Sequence, residues 1–152
     1  MIPTDFGNIN NNKYINGKKV VMKPWGKEVW LELNEKYCYK RIYINAGFKT
    51  SYQMHNFKLE TNFIIDGKAE VWLENDEGIV EKFIMTSGDF FTVIPPRKHR
   101  VIALTDLILQ EVSTPEVDDV IRINDEFNRS DGKIKEEHFK PTVCILAAGI
   151  GS

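Results

Sequence analysis

Between residues 20 and 113 the chain is a succession of short runs rich in β-branched and aromatic residues, each broken by a cluster of turn formers. The breaks fall at Asn45-Ala46-Gly47, Asp66-Gly67, residues 75–78, Ser87-Gly88-Asp89 and Thr105-Asp106. Many short strands at even spacing, without long amphipathic helices between them, point to an all-β chain closed or sandwiched into an antiparallel barrel. Asp66-Gly67 is the strongest hairpin signal. It lies between Phe63-Ile64-Ile65 and Ala69-Glu70-Val71-Trp72-Leu73, and a type I′ turn wants residues that tolerate positive φ.

A chain of 152 residues with 42% hydrophobic and 11% aromatic content can bury the core of one compact domain. Its net charge of -2 gives no electrostatic case for nucleic acid. The start, Met1-Ile2-Pro3-Thr4-Asp5, lacks the basic and apolar regions of a signal peptide, and no apolar run approaches the roughly 20 residues that span a bilayer. Cys38 and Cys144 are far apart and form no disulfide framework. The expectation is a cytoplasmic protein with no membrane and no nucleic acid partner. Residues 1–19, asparagine-rich and poor in apolar side chains, read as a flexible leader. Residues 20–130 read as the barrel domain and the charged residues 131–140 as a linker, in which His138 is expected to be solvated.

Within the barrel, one set of side chains suggests a metal site. Gln53 and His55 are two apart and share a face of a strand, as do Lys58 and Glu60 if their segment is extended. With His99 they offer neutral donors and a carboxylate, a mixed N/O set that suits Zn, Fe, Mn, Co or Ni better than Ca or Mg. An isolated strand histidine is usually a core or surface residue. The metal reading gains from the order in which His55, Glu60 and His99 occur with Gly47, Gly67, Gly88 and Pro95. Met54, between two proposed ligands, is turned away and reads as packing. Trp25, Trp30 and Trp72 suit core or interface packing before a sugar site, and Arg97-Lys98 reads as a solvated loop.

These residues resemble the cupin superfamily. Gly47, His55, Glu60 and Gly67 look like its first motif, with Gln53 where many cupins have their first histidine; Gly88-Asp89, Pro95 and His99 look like the second. The Gln53-Met54-His55 opening is similar to the cupin domain of type II mannose-6-phosphate isomerases, often fused to a mannose-1-phosphate guanylyltransferase. Further matching runs are Lys23-Pro24-Trp25-Gly26, Gln110-Glu111-Val112, Asp118-Asp119-Val120-Ile121-Arg122, and Asp125 with Arg129. The resemblance implies a double-stranded β-helix, or jelly-roll barrel, that pairs as a homodimer. It also implies a divalent metal, zinc first, held by Gln53, His55, Glu60 and His99, and interconversion of mannose 6-phosphate with fructose 6-phosphate. Lys58 would bind phosphate or the developing oxyanion, Arg100 phosphate, and Glu111 would transfer the proton. Alternation puts Arg100 on the face opposite His99, so it would enter the cavity only if the strand bulged there.

The chain departs from that pattern where the family has an arginine three residues after the motif histidine and a His-Trp pair after the glutamate. Here those positions hold Lys58 and Thr61-Asn62. Lysine keeps the charge and loses the planar fork that grips phosphate. The changes favour a second reading, a non-catalytic module that holds metal or sugar phosphate beside a transferase. Oxygen-dependent chemistry and a purely structural dimerisation domain are two more. The last residues, Leu146-Ala147-Ala148-Gly149-Ile150-Gly151-Ser152 after an apolar run, resemble the opening of sugar-nucleotide nucleotidyltransferases, so residues 141–152 read as the truncated start of such a domain; the other reading is a terminal barrel strand.

Overall fold

The structure, a computed structural model, describes residues 19–139. Nearly all of the leader and the whole of the transferase-like end lie outside the described residues. Strands are numbered in chain order. A seven-stranded sheet runs β12 (His138–Phe139), β1 (Lys19–Lys23), β2 (Gly26–Leu33), β3 (Cys38–Ile44), β10 (Leu107–Ser113), β5 (Glu60–Asp66), β8 (Phe90–Val93). A five-stranded sheet runs β11 (Ile121–Asn124), β4 (Tyr52–Met54), β9 (His99–Ala103), β6 (Lys68–Glu74), β7 (Val80–Thr86). All pairings are antiparallel, and the sheets face each other as the jelly-roll barrel expected of a cupin. The described residues hold no α-helix, and no helix there is long and apolar enough to cross a membrane.

Period-two alternation decides what each strand puts inside. On β5, Glu60, Asn62 and Ile64 are buried while Thr61 and Phe63 face outward, where the Thr61 and Thr92 hydroxyls meet at 2.9 Å. On β10 the buried row is Leu107, Leu109, Glu111, Ser113; on β3 it begins Cys38, Lys40, Ile42, Ile44; on β9 it includes His99, Val101, Ala103. Each row passes from apolar to polar along its length. Aligned by the strand pairing, the apolar halves form one core of Ile42, Ile44, Ile64, Ala69, Val71, Val101, Leu107, Leu109 and their neighbours.

The Asp66-Gly67 hairpin does not form. β5 belongs to the seven-stranded sheet and β6 to the five-stranded one, so the turn carries the chain between sheets. Gly67 has φ +98°, and a Cβ there would meet the Asp106 carbonyl oxygen at 2.2 Å, so close backbone approach as well as turn shape requires glycine. The hairpin partner of β6 is β7. Its turn is closed by the Asn75 N–H donating to the Ile79 carbonyl at 2.8 Å, and the Asn75 side chain accepts from the Glu77 and Ile79 amides.

Residues 131–139 lie against the barrel. A short 3-10 turn, Lys135–Glu137, leads into β12, which pairs Val20 with Phe139 and Val21 with His138. The buried Glu137 accepts from Lys23 at 2.9 Å and Arg129 at 3.3 Å. His138, expected in solvent, is half-buried with its ring edge-on to Trp30 at 5.4 Å. The charged composition hid this docking because its acids Asp131 and Glu137 bond to the barrel.

Candidate metal centre

β4 ends at Met54, and the following turn brings His55 inward beside Glu60 at the start of β5 and His99 at the start of β9. Asp119 holds that turn: its carboxylate accepts from the backbone amides of Asn56, Phe57 and Lys58, at 3.1, 2.7 and 3.1 Å. Burial works against the charge on Asp119, and these three hydrogen bonds outweigh it, holding its pKa below the ordinary value.

His55 Nδ1 lies 2.5 Å from the Asp119 carbonyl oxygen, and His99 Nδ1 lies 3.1 Å from that of Arg97. A carbonyl only accepts, so each Nδ1 carries a proton, and Nε2 is the ring atom each histidine could offer to a metal ion in the cavity. The two Nε2 atoms stand 3.6 and 3.0 Å from the same oxygen, Glu60 Oε1. Those are separations expected of donors at about 2.0–2.2 Å from one shared ion. His55 is 1% exposed and its Nε2 has no hydrogen-bond partner, an orphaned buried nitrogen that a metal would satisfy. Burial pushes the His55 pKa down, against the pull of Glu60, and so favours the neutral ligand form. Glu60 is held well below the carboxylate range: burial opposes its charge, and Lys58 with the two histidines overcomes it.

His55, Glu60 and His99 thus form a cluster that could hold a metal ion, and the residues fit one. Gln53 lies beside them, pairing with His99 across β4 and β9, its Nε2 3.4 Å from His99 Nε2. Its Oε1 accepts from Ser51 at 2.6 Å, so a half-turn of the amide would present oxygen to the site.

Lys58 and Glu111 also lie inside. The Lys58 ammonium sits 2.9 Å from Glu60 Oε2 and 3.4 Å from Glu111 Oε2. Burial opposes the Lys58 charge, but Glu111 and Glu60 raise its pKa above the ordinary value. Glu111 is pushed up to about 7, by burial first and then by Glu60, against the pull of Lys58 and Lys40.

Arg100 is elsewhere. β9 keeps an unbroken register with β6, and Arg100, beside His99, turns to the outer face. There it is buried, donating to the Thr50 and Asn124 carbonyls at 2.9 and 3.0 Å and lying 5.6 Å from the Trp72 ring centre. The bulge that a cavity role required is absent.

Three contributors were not marked as site residues. Asp119 positions His55, Arg122 lines the cavity from β11, and Asn62 lines it beside Glu111. Asn62 is 4% exposed, and its amide has no side-chain hydrogen bond among the described residues. Asp119 and Arg122 lie in the Asp118-to-Arg122 run already singled out, and Asn62 is one of the departures, but spacing alone assigned them no task.

Comparison with known proteins agrees with this geometry. The family described as mannose-6-phosphate isomerase C-terminal matches residues 10–125. A mannose-1-phosphate guanylyltransferase of Escherichia coli K12 is 30% identical over 112 residues, covering 72% of this chain and 23% of that protein. The xanthan biosynthesis protein XanB of Xanthomonas campestris is 28% identical over 116 residues, 72% of this chain and 24% of XanB. The chain therefore spans about a quarter of the length of these curated relatives. Among solved structures, the capsular polysaccharide assembling protein CapF of Staphylococcus aureus superposes with TM-score 0.62 at 10% identity, over 71% of this chain and 34% of that one. An RmlC-like cupin of Shewanella frigidimarina gives 0.55 at 21%, over 64% of this chain and 84% of its own. At such identities these two show the fold alone. The chain belongs to the mannose-6-phosphate isomerase C-terminal family, on a cupin barrel.

Proposed function

We propose that this domain is a metal-dependent aldose–ketose isomerase acting on a sugar phosphate, with mannose 6-phosphate and fructose 6-phosphate as the pair, in the supply of activated sugars for glycan assembly. The observation that carries the reading is the convergence of two Nε2 atoms and Glu60 Oε1 in a cavity that also holds Lys58 and Glu111. A divalent ion, zinc first among the candidates, bound by His55, Glu60 and His99 with Gln53 would polarise the carbonyl oxygen of the open-chain sugar.

The rest is the work of this chain's side chains. Isomerisation moves one proton from the carbon beside the carbonyl to the carbonyl carbon and a second from the hydroxyl oxygen to the carbonyl oxygen, through an enediolate whose negative charge needs a partner. Glu111, with its pKa pushed up to about 7, takes the first proton on a carboxylate oxygen and returns it to the neighbouring carbon. Lys58, held protonated, faces the developing oxyanion. Asp119 keeps the His55 ring in the ligand tautomer.

The name of the Escherichia coli relative supports a place beside a nucleotidyltransferase. Exposed apolar residues at one edge of each sheet, Phe83 and Ile84 on β7 and Phe90 on β8, support a homodimer. The reading includes a cytoplasmic location. A non-catalytic binding module is favoured by one observation: the Lys58 ammonium is already bonded to both Glu60 and Glu111.

The test is conversion of mannose 6-phosphate to fructose 6-phosphate by metal-loaded and chelator-stripped protein, with His55→Ala beside them. Metal-dependent turnover, cut about 100-fold or more in His55→Ala, is the expected result. Bound metal without turnover would sink the isomerase for this substrate and leave the binding module.

A further inference from the structure

With Arg100 outside the cavity, the phosphate of the proposed substrate lacks its expected anchor. The charged side chains that line the cavity can be sorted by their partners. Lys40 holds Glu28 at 3.2 Å, Lys58 holds Glu60 and Glu111, and Lys23 and Arg129 share Glu137, with Arg129 also gripping Asp125 at 2.8 Å. Arg122 and Lys133 line the same cavity and make no ion pair among the described residues. They are the two lining cations that no salt bridge occupies, and the exposed Asp118 is the lining carboxylate left outside those pairs.

Arg122 is held in place by backbone and side-chain hydrogen bonds. Its Nη1 donates to the Ser130 carbonyl and, at 3.0 Å, to the Gly132 carbonyl, while its backbone amide is held by Asp131 at 2.7 Å. Its Nε is buried with no partner. A second orphaned nitrogen, the ring Nδ1 of His138, is buried on the wall of the same cavity. Strand register sets the distance to the metal centre. Arg122 pairs with Gln53 on β4, and Gln53 pairs with His99 on β9, so all three share one face. Two strand spacings of about 4.8 Å place Arg122 roughly 10 Å from His99, Cα to Cα.

We propose that Arg122 and Lys133 form an anchoring subsite for a phosphate monoester, holding the phosphorylated end of a ligand whose other end lies at the His55–Glu60–His99 cluster. A guanidinium with free N–H groups and no carboxylate in salt-bridge contact suits a phosphate's oxygens, and the second cation answers its second charge. The sugar in this proposal rests on the isomerase reading; the anion does not.

The experiment is calorimetric titration of the metal-loaded protein with mannose 6-phosphate, mannose and inorganic phosphate, for wild type, Arg122→Gln, Arg122→Lys and Lys133→Gln. Expected is a loss of about tenfold or more in affinity for mannose 6-phosphate in Arg122→Gln, with mannose unaffected and part of the loss restored in Arg122→Lys. Lys133→Gln removes an exposed side chain, so it keeps the fold even if Arg122→Gln does not; it is expected to weaken phosphate-bearing ligands about threefold. Equal losses for mannose and mannose 6-phosphate, unchanged affinity in the variants, or no binding of any phosphate-bearing ligand by wild type would each overturn the subsite. Tight inorganic phosphate with no gain from the sugar would keep the anion subsite and remove the sugar. The isomerase reading fails separately: a wild type that binds but does not turn over leaves the subsite standing, and one that turns over with unchanged affinity in Arg122→Gln leaves only the isomerase.

Discussion

The two ends of the barrel interior are built from the same strands and the same faces, and they differ completely in character. Two residues along β5 separate Ile64 from Asn62, and two along β10 separate Leu109 from Glu111. At one end Ile44, Ile64, Leu107 and Leu109 close a core; at the other, Lys40, Lys58, Glu60 and Glu111 are buried charges held in pairs. Alternation determines only which residues are inside. Whether that interior supplies cohesion or chemistry depends on residue identity, and burying a charge costs enough that the second use needs a partner for each one.

The sharpest break in the comparison comes from the apolar end. Leu109 is 2% exposed and packed in the main core, so Leu109→Ala should lower unfolding free energy by about 2–5 kcal/mol. Denaturant unfolding reads this directly. Metal affinity measured well below the midpoint should stay at the wild-type value, because Leu109 packs in the apolar cluster, which contains none of the proposed ligands; a parallel loss of metal would mean that the two ends are one unit.

The charged end should answer to pH instead. Burial works against the Glu28 carboxylate, but Lys40, Lys23 and the Trp30 indole N–H, at 2.8 Å, hold its pKa down at about 2. A folded pKa below the unfolded value near 4.5 stabilises the fold above that pH, and the contribution is lost as pH falls through about 2. The shift corresponds to about 3 kcal/mol. Glu28→Gln should therefore be less stable than wild type at pH 7 by up to that amount, with the two curves meeting near the folded pKa. A gap that persists through the acid range would mean that Glu28 acts through packing.

How far the sequence was legible follows the same division. An antiparallel barrel could be read from strand spacing and turns, and its jelly-roll form from the cupin resemblance; His55, Glu60 and His99 could be read from their order with glycines and a proline, because those signals are local and periodic. The Asp66-Gly67 turn was misread as a hairpin because a turn signal says that the chain bends and not which sheet it enters; the contact that decides, with Asp106, lies far along the chain. Alternation already set Arg100 against a cavity role, and the regular pairing of β9 with β6 kept it there. Arg122, Asp119 and His138 escaped because their tasks depend on strands β11 and β12 closing over the barrel, which no local pattern announces. His138 looked solvated only as long as its segment was taken as a linker.

The smallest expected stability effect is the most informative. Lys58 and Glu111 form a buried pair at 3.4 Å, and such pairs often add little to stability once desolvation is counted. Replacing both, Lys58→Met with Glu111→Leu, keeps the volumes close and removes two buried charges together. Glu60 keeps His99 at 3.0 Å, so the cluster retains its carboxylate. Stability of the metal-loaded double variant should fall within about 1 kcal/mol of wild type or rise above it, whereas either single change strands a buried charge and should destabilise. Turnover of mannose 6-phosphate should vanish in the double variant while metal still binds. A double variant that unfolds easily would make the pair structural and place the boundary between the two ends of the interior closer to the metal than its polarity suggests. A variant that stays folded, holds metal and has lost turnover would locate the chemistry in two residues that the fold can do without.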